Sequence, residues 1–293
     1  MAHGGRGPGR RLEPLDPAAG ALTDDFSAPA LDPTLDPTLD PTLWVDHYLP
    51  QWTTPERSRA RYDVVRRRAA PGTARDAAHP TGLRLRIDAD QPDWRPEDAP
   101  LRVSNLQTAM FGGPLGSTRG THRHRPDGLV VRTAVPQRLL WAPSSGQVDV
   151  TVTASLDRAC MLAVWLVGTE HLDERDSGEI CVVEIDADAV GPTASTARVG
   201  VKAHHDPRLT TDMTEVTVPV GTGRPHTWSA RWGADGVLVA CEGEVVFTSP
   251  QVLAYPLQLM VDLFEIGPRD AADAYPKTAV VHSVTLSRPV DGA

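Results

Sequence analysis

From about residue 82 onward, apolar and polar residues alternate in short runs separated by Gly, Pro, Asp and Ser. Gly82–Asp88 (GLRLRID), Leu129–Thr133 (LVVRT), Gln147–Thr153 (QVDVTVT) and Thr196–Lys202 (TARVGVK) have this period of two. So do Glu215–Pro219, Val237–Ala240, Val245–Thr248 and Ala279–Leu286. Alternation over such lengths marks half-buried strands. Met161–Val167 (MLAVWLV) is apolar throughout, which suits a strand covered on both faces. RARYDVV and GLRLRID read as a hairpin whose long loop runs from Arg66 to His79. No 12-residue stretch has a helical period. Many short strands, turn signals and 27 prolines predict an all-β chain, a single β-sandwich or jelly roll over residues 23–290. Residues 1–22 read as a disordered leader. The repeat LDPTLDPTLDPT at 31–42 reads as an expanded surface turn, because each Pro pushes the preceding Asp into an extended conformation.

Composition narrows the function classes. With 40% hydrophobic residues a packed core is available. The net charge of −9 and the absence of a basic stripe argue against a nucleic-acid partner. No apolar run approaches the roughly 20 residues that span a bilayer, so no membrane partner is expected. Cys160, Cys181 and Cys241 are too few and too far apart for a disulfide framework or a Cys-rich zinc site. Basic charge is almost all Arg, with lysines only at 202 and 277, which reads as a trace of GC-rich coding. The N-terminus has arginines but no apolar stretch after them, so no signal peptide is visible. The expected location is cytoplasmic as written, or extracellular if the true start lies elsewhere or export needs no leader. A monomer is expected.

The densest acidic strand is Ser177–Ala189, SGEICVVEIDADA. On a regular strand residues five apart point to opposite faces, so Glu179 and Glu184 would diverge. One extra residue in a bulge returns Glu184 to the face of Glu179 and Cys181. Two carboxylates converging on one face are what retaining glycoside hydrolysis requires, one as nucleophile and one as acid/base. Without a bulge, Glu184, Asp186 and Asp188 alternate and form a second register. Otherwise the strand is an edge with solvated acids.

Gly178-Glu179-Ile180-Cys181-Val182-Val183-Glu184 resembles the signature of glycoside hydrolase family 16, Glu-x-Asp-x-x-Glu, with Cys181 in place of the Asp. In order along the chain, Asp24-Asp25-Phe26 with Leu39–Trp44, Ala163–Leu166, Val199–His204, His226–Val246, Tyr255–Leu263 and Ala279–Arg288 resemble successive strands of that family. The resemblance implies a concanavalin A-like jelly roll of two curved antiparallel sheets. It implies Glu179 as nucleophile, Glu184 as acid/base and Cys181 as the position that tunes the site. It implies Trp165 as a stacking surface for sugar and His204 as a hydrogen-bonding group in the cleft. The partner is then a β-glucan-like polysaccharide or oligosaccharide. No cofactor is required, and a structural calcium is left open. A non-catalytic lectin-like jelly roll and a transglycosylase are the alternatives.

Further candidates come from the residues themselves. Ser104–Arg125 reads as a long Gly-rich loop carrying Asn105, Gln107, His122 and Arg123 as recognition groups. Gln258 and Glu265 are cleft candidates on or after a core strand. No metal site is expected: His204 and His205 are adjacent, and His122 and His124 lack a nearby carboxylate or third His in the sequence.

Overall fold

The computed structural model describes residues 10–12, 21–27, 39–66, 80–125, 127–219 and 221–288. Its strands are β1 (Leu22–Asp24), β2 (Arg61–Arg66), β3 (Pro80–Ile87), β4 (Arg102–Gln107), β5 (Ala109–Met110), β6 (Arg138–Leu139), β7 (Gly146–Thr153) and β8 (Cys160–Gly168). They continue as β9 (Glu179–Asp186), β10 (Ser195–Lys202), β11 (Asp212–Val218), β12 (His226–Gly233), β13 (Gly236–Cys241), β14 (Glu244–Ser249), β15 (Leu257–Glu265) and β16 (Lys277–Ser287). Helical structure among the described residues is confined to single turns of three or four residues. No helix among them is long and apolar enough to cross a membrane.

All but β5 and β6, which pair with each other, form the two antiparallel sheets of a jelly-roll β-sandwich. One runs β14-β13-β12-β7-β16-β3-β2, with β1 beside β16; the other runs β11-β10-β9-β8-β15-β4. Alternate side chains of each sheet meet in one core: Val148, Val150 and Val152 from β7 face Leu162, Val164 and Leu166 from β8, Ile180 and Ile185 from β9, and Leu259, Val261 and Leu263 from β15. The other face of the six-stranded sheet is half covered. Ala163, Trp165 and Val167 of β8 join Met260 and Phe264 of β15 there, under Tyr48, Leu49, Trp52, Trp94, Leu129 and Val131. This second cover explains why Met161–Val167 is apolar throughout. Burial of each large side chain contributes about 1.5–3 kcal/mol, enough to hold the covering segments against the sheet.

Several expectations need correction. Leu129–Thr133 is not a strand. Its alternation comes from Leu129 and Val131 turning into the outer apolar cluster, while Val131 N–H donates to Ser117 O and Arg132 N–H to Gln51 O. The loop placed at 104–125 begins as strand β4, which pairs with β15. Arg10–Leu12, within the expected disordered leader, lie against β14: Leu12 N–H donates to Gly243 O, and Val245 N–H donates to Arg10 O. β2 and β3 do pair as a hairpin. Its loop over 67–79 and most of the tetrapeptide repeat lie outside the described residues.

Candidate active site

The site is built on β9 and β10, on the face turned away from the sandwich core. β9 carries a bulge. Cys181 pairs with Trp165 while Val183 pairs with the adjacent Val164, leaving Val182 as the extra residue. On the other side Gly200 pairs with Cys181 and Arg198 with Glu184. Val182 and Val183 both enter the core. That double step turns Glu184 to the same side as Glu179 and Cys181, and one oxygen of each carboxylate and the thiol sulfur lie within 4.8 Å of one another. Asp186 continues on this side and meets Arg198, whereas Asp188 falls in the turn Ala187–Ala189. Gly178, just before the pair, is required by space: a Cβ there would strike the Tyr255 hydroxyl. That hydroxyl accepts Gly178 N–H at 3.0 Å and donates to Asp206 at 2.8 Å, fixing where β9 begins.

Glu179 is fully buried, with 0% exposure. Its Oε2 is 2.7 Å from His204 Nε2, and its Oε1 is 2.9 Å from Lys202 Nζ. Burial pushes this carboxyl up, but Lys202 and then His204 outweigh it and hold the group at about 2. Glu184, 7% exposed, receives three donors: Lys202 Nζ at 2.5 Å, Trp165 Nε1 at 3.1 Å and Arg198 Nε at 3.1 Å. The Lys202 ammonium also lies 5.0 Å from the Trp165 ring centre, a cation–π contact. Burial pulls Lys202 down, yet Glu179 and then Glu184 raise it, so it stays a cation. Burial and the two carboxylates push the Cys181 thiol well up, so it is neutral and cannot act as a third acid.

The histidines complete one end. His122 and His204 meet edge to face with ring centres 5.0 Å apart. His122 is buried; burial, then His204, lowers its proton affinity well below the usual value. Its backbone N–H donates to Glu170 Oε1 at 2.6 Å. His122, Glu170 and His204 all hold left-handed backbone angles, with φ of 57°, 55° and 46°. Strained non-glycine backbone gathers where a side chain must be aimed. Burial raises Glu170 to about 8. Beside these residues lies a cavity of about 140 Å³ lined by Arg123, Glu170, Arg175 and His205 among others. Arg123 thus borders a neighbouring hollow.

His122, Glu179 and His204 also bring ligand-type atoms within 4.8 Å of one another. The sequence reading missed this proximity, because it joins a loop, β9 and the end of β10. Lys202 Nζ reaches instead the neighbouring group of ligand-type atoms, Glu179, Cys181 and Glu184, through its two carboxylates.

Other predicted site residues are placed differently. Trp165 is buried against Lys202, His122 and Phe264, so its ring offers no open stacking face; its indole N–H instead holds Glu184. Asn105 and Gln107 are buried on β4. Asn105 Nδ2 donates to Gln107 Oε1, which also accepts Leu49 N–H, so the two amides fasten the covering segment. Gln258 is buried on β15, as is Asp262, and the side-chain oxygens of both have no hydrogen-bond partner among the described residues. Burial and Glu179 push Asp262 well up. Glu265 lies away from the site, in an ion cluster with Arg102 and Lys277.

No family model matches this chain, and no curated protein matches it. Solved structures do. A GlcNAcα1-4Gal-releasing endo-β-galactosidase from Clostridium perfringens superposes with a TM-score of 0.72 at 20% identity, covering 96% of this chain. This chain spans 66% of that protein's length. A non-specific endo-β-1,3(4)-glucanase from glycoside hydrolase family 16, crystallised with 1,3-β-D-cellobiosyl-cellobiose, gives 0.53 at 16% identity, covering 96% of this chain and 99% of that one. A β-glucanase from Bacillus licheniformis gives 0.51 at 12% identity, covering 92% and 99%. The fold is a family 16-like jelly roll. In this frame β9 carries Glu179 and Glu184 with a thiol between them and Lys202 across them.

Proposed function

We propose that the protein is a retaining endo-acting glycosidase cleaving β-linked polysaccharide or oligosaccharide. The observation that carries the reading is the bulge on β9, which brings Glu179 and Glu184 together with carboxylate oxygens within 4.8 Å. Retaining enzymes hold their two carboxyls about 5–5.5 Å apart, whereas inverting ones leave room for a water between them.

In the first step a Glu179 oxygen attacks the anomeric carbon, and the bond to the leaving oxygen breaks with its electron pair. Glu184 gives its proton to that oxygen. In the second step Glu184 takes a proton from water, the water oxygen bonds to the anomeric carbon, and the ester electron pair returns to Glu179. His204 orients Glu179, while Trp165 and Arg198 orient Glu184.

A second reading concerns the sugar. The higher score to the endo-β-galactosidase than to the glucanases supports β-galactosides as substrates alongside β-glucans. Reducing-sugar release on a panel of both glycan classes tests the reading, with product anomers followed by proton NMR. Wild-type protein is expected to release the β-anomer first, and Glu179→Gln and Glu184→Gln to be folded and inactive. Binding without turnover across the panel would favour a lectin, and release of the α-anomer would refute retention. An added acceptor sugar that diverts product would assign transglycosylation.

A further inference from the structure

We infer that Lys202 is a positioning residue that serves as the fixed countercharge for a negative charge moving between the two glutamates. The inference rests on the reading of Glu179 and Glu184 as nucleophile and acid/base. Its ground is placement: one ammonium lies 2.9 Å from Glu179 and 2.5 Å from Glu184. The position between them on β9 holds an uncharged thiol where the family 16 signature has an acid.

The charge balance of the reaction explains the arrangement. Before the first step Glu179 is an anion and Glu184 carries a proton, so Lys202 faces one negative charge. As the ester forms, Glu179 loses its charge while Glu184 gives its proton to the leaving oxygen and becomes the anion. Lys202 again faces one negative charge, now on its other side. The second step reverses both changes. The cation lies within hydrogen-bond reach of both positions, so neither state leaves it buried and unpaired, which is costly in a low-dielectric site. An acid in place of Cys181 would add a second negative charge to each state. The ammonium also lies over the Trp165 ring, whose indole N–H donates to Glu184.

Groups facing Glu179 and Lys202 come from every neighbouring element. They are Cys181 and Glu184 on β9, Arg198 on β10, His204 after β10, His122 from its loop, Asp262 on β15 and Tyr48 from the covering segment. Of these, Lys202 alone touches both carboxylates with a charge that does not titrate near neutral pH.

The test compares wild type, Lys202→Met and Lys202→Arg on the panel glycan with the highest wild-type rate. Thermal unfolding is measured alongside. For Lys202→Met, kcat/KM should fall at least about 100-fold with KM changed less than about 3-fold, because the group acts on the reaction and not on ground-state binding. Its acidic limb should move up by about one pH unit or more, since Glu179 loses the cation that keeps it ionised. Lys202→Arg should recover at least about tenfold of the loss, since it keeps the charge. Unchanged limbs in a folded Lys202→Met, or no recovery in a folded Lys202→Arg, would overturn the inference. If Lys202→Met does not fold, Lys202→Arg decides alone: a shifted acidic limb with the charge retained would refute the countercharge role. Full activity in Glu179→Gln would instead overturn the underlying reading, and this inference with it.

Discussion

The chain has two lysines, and each sits in a buried carboxylate cluster, but the clusters are built differently. Lys277 lies 2.6 Å from Glu265 and 3.5 Å from Asp273, and donates to Arg158 O. Arg102 pairs with Glu265 from the other side, and the Tyr275 hydroxyl closes the group. Lysine, Arg102 and Glu265 are at most 1% exposed. Here two cations meet Glu265, with Asp273 behind Lys277, so the charges are satisfied and shut in. In the Lys202 cluster one ammonium is shared between two glutamates, and its side chain is 24% exposed. The first arrangement fixes a strand end. The second leaves a charge free to shift while its countercharge stays still. The two lysines thus differ in how closely a second carboxylate approaches and in whether solvent can reach the ammonium.

Breaking each cluster should separate these roles. Glu179→Gln is expected to lower turnover at least about 10³-fold and to cost about 3 kcal/mol near neutral pH, where the ionised carboxylate contributes fully, read from steady-state rates and urea midpoints. Glu265→Ala is expected to cost about 3–5 kcal/mol because it takes from Arg102 and Lys277 the glutamate they share. Turnover per folded molecule should be retained.

The next effect comes from acid. Glu179 sits at about 2 when folded against a reference of 4.5, so its contribution to stability is complete above about pH 4.5 and lost as pH falls toward 2. Wild-type protein should lose about 3 kcal/mol relative to Glu179→Gln over that window. Parallel acid denaturation of the two proteins would contradict this.

Glu170 has the opposite sign. Its folded value of about 8 lies above 4.5, so the native state binds more protons between these pH values and stability falls as pH rises through them. Glu170→Gln should therefore stabilise by about 5 kcal/mol at pH 9 and have little effect at pH 4, as thermal melts at the two pH values would show.

The strands were legible because period-two alternation survives in any half-buried sheet. The bulge was legible too, since an i,i+5 pair of glutamates can share a face only with one extra residue. Lys202 was harder. In TARVGVK it reads as one more outward polar residue, and its contact with both glutamates depends on the pairing of β10 with β9. The available signal was its rarity, one of two lysines among 29 basic residues. Asp262 offered a similar signal as an acid in the interior of LQLMVDLFE, a strand buried along its whole length. Asn105 and Gln107 were misplaced because polar residues before a Gly-rich stretch look like loop. What buries them is Tyr48–Trp52, more than 50 residues away in sequence.

The central claim is that Glu179 bonds to sugar during turnover. Incubation with 2,4-dinitrophenyl 2-deoxy-2-fluoro-β-galactoside and the matching glucoside, followed by proteolysis and peptide mass spectrometry, addresses it directly. One adduct is expected, on the peptide carrying Glu179, with loss of activity in step with labelling. An adduct on Glu184, or an active enzyme that never labels, would contradict it.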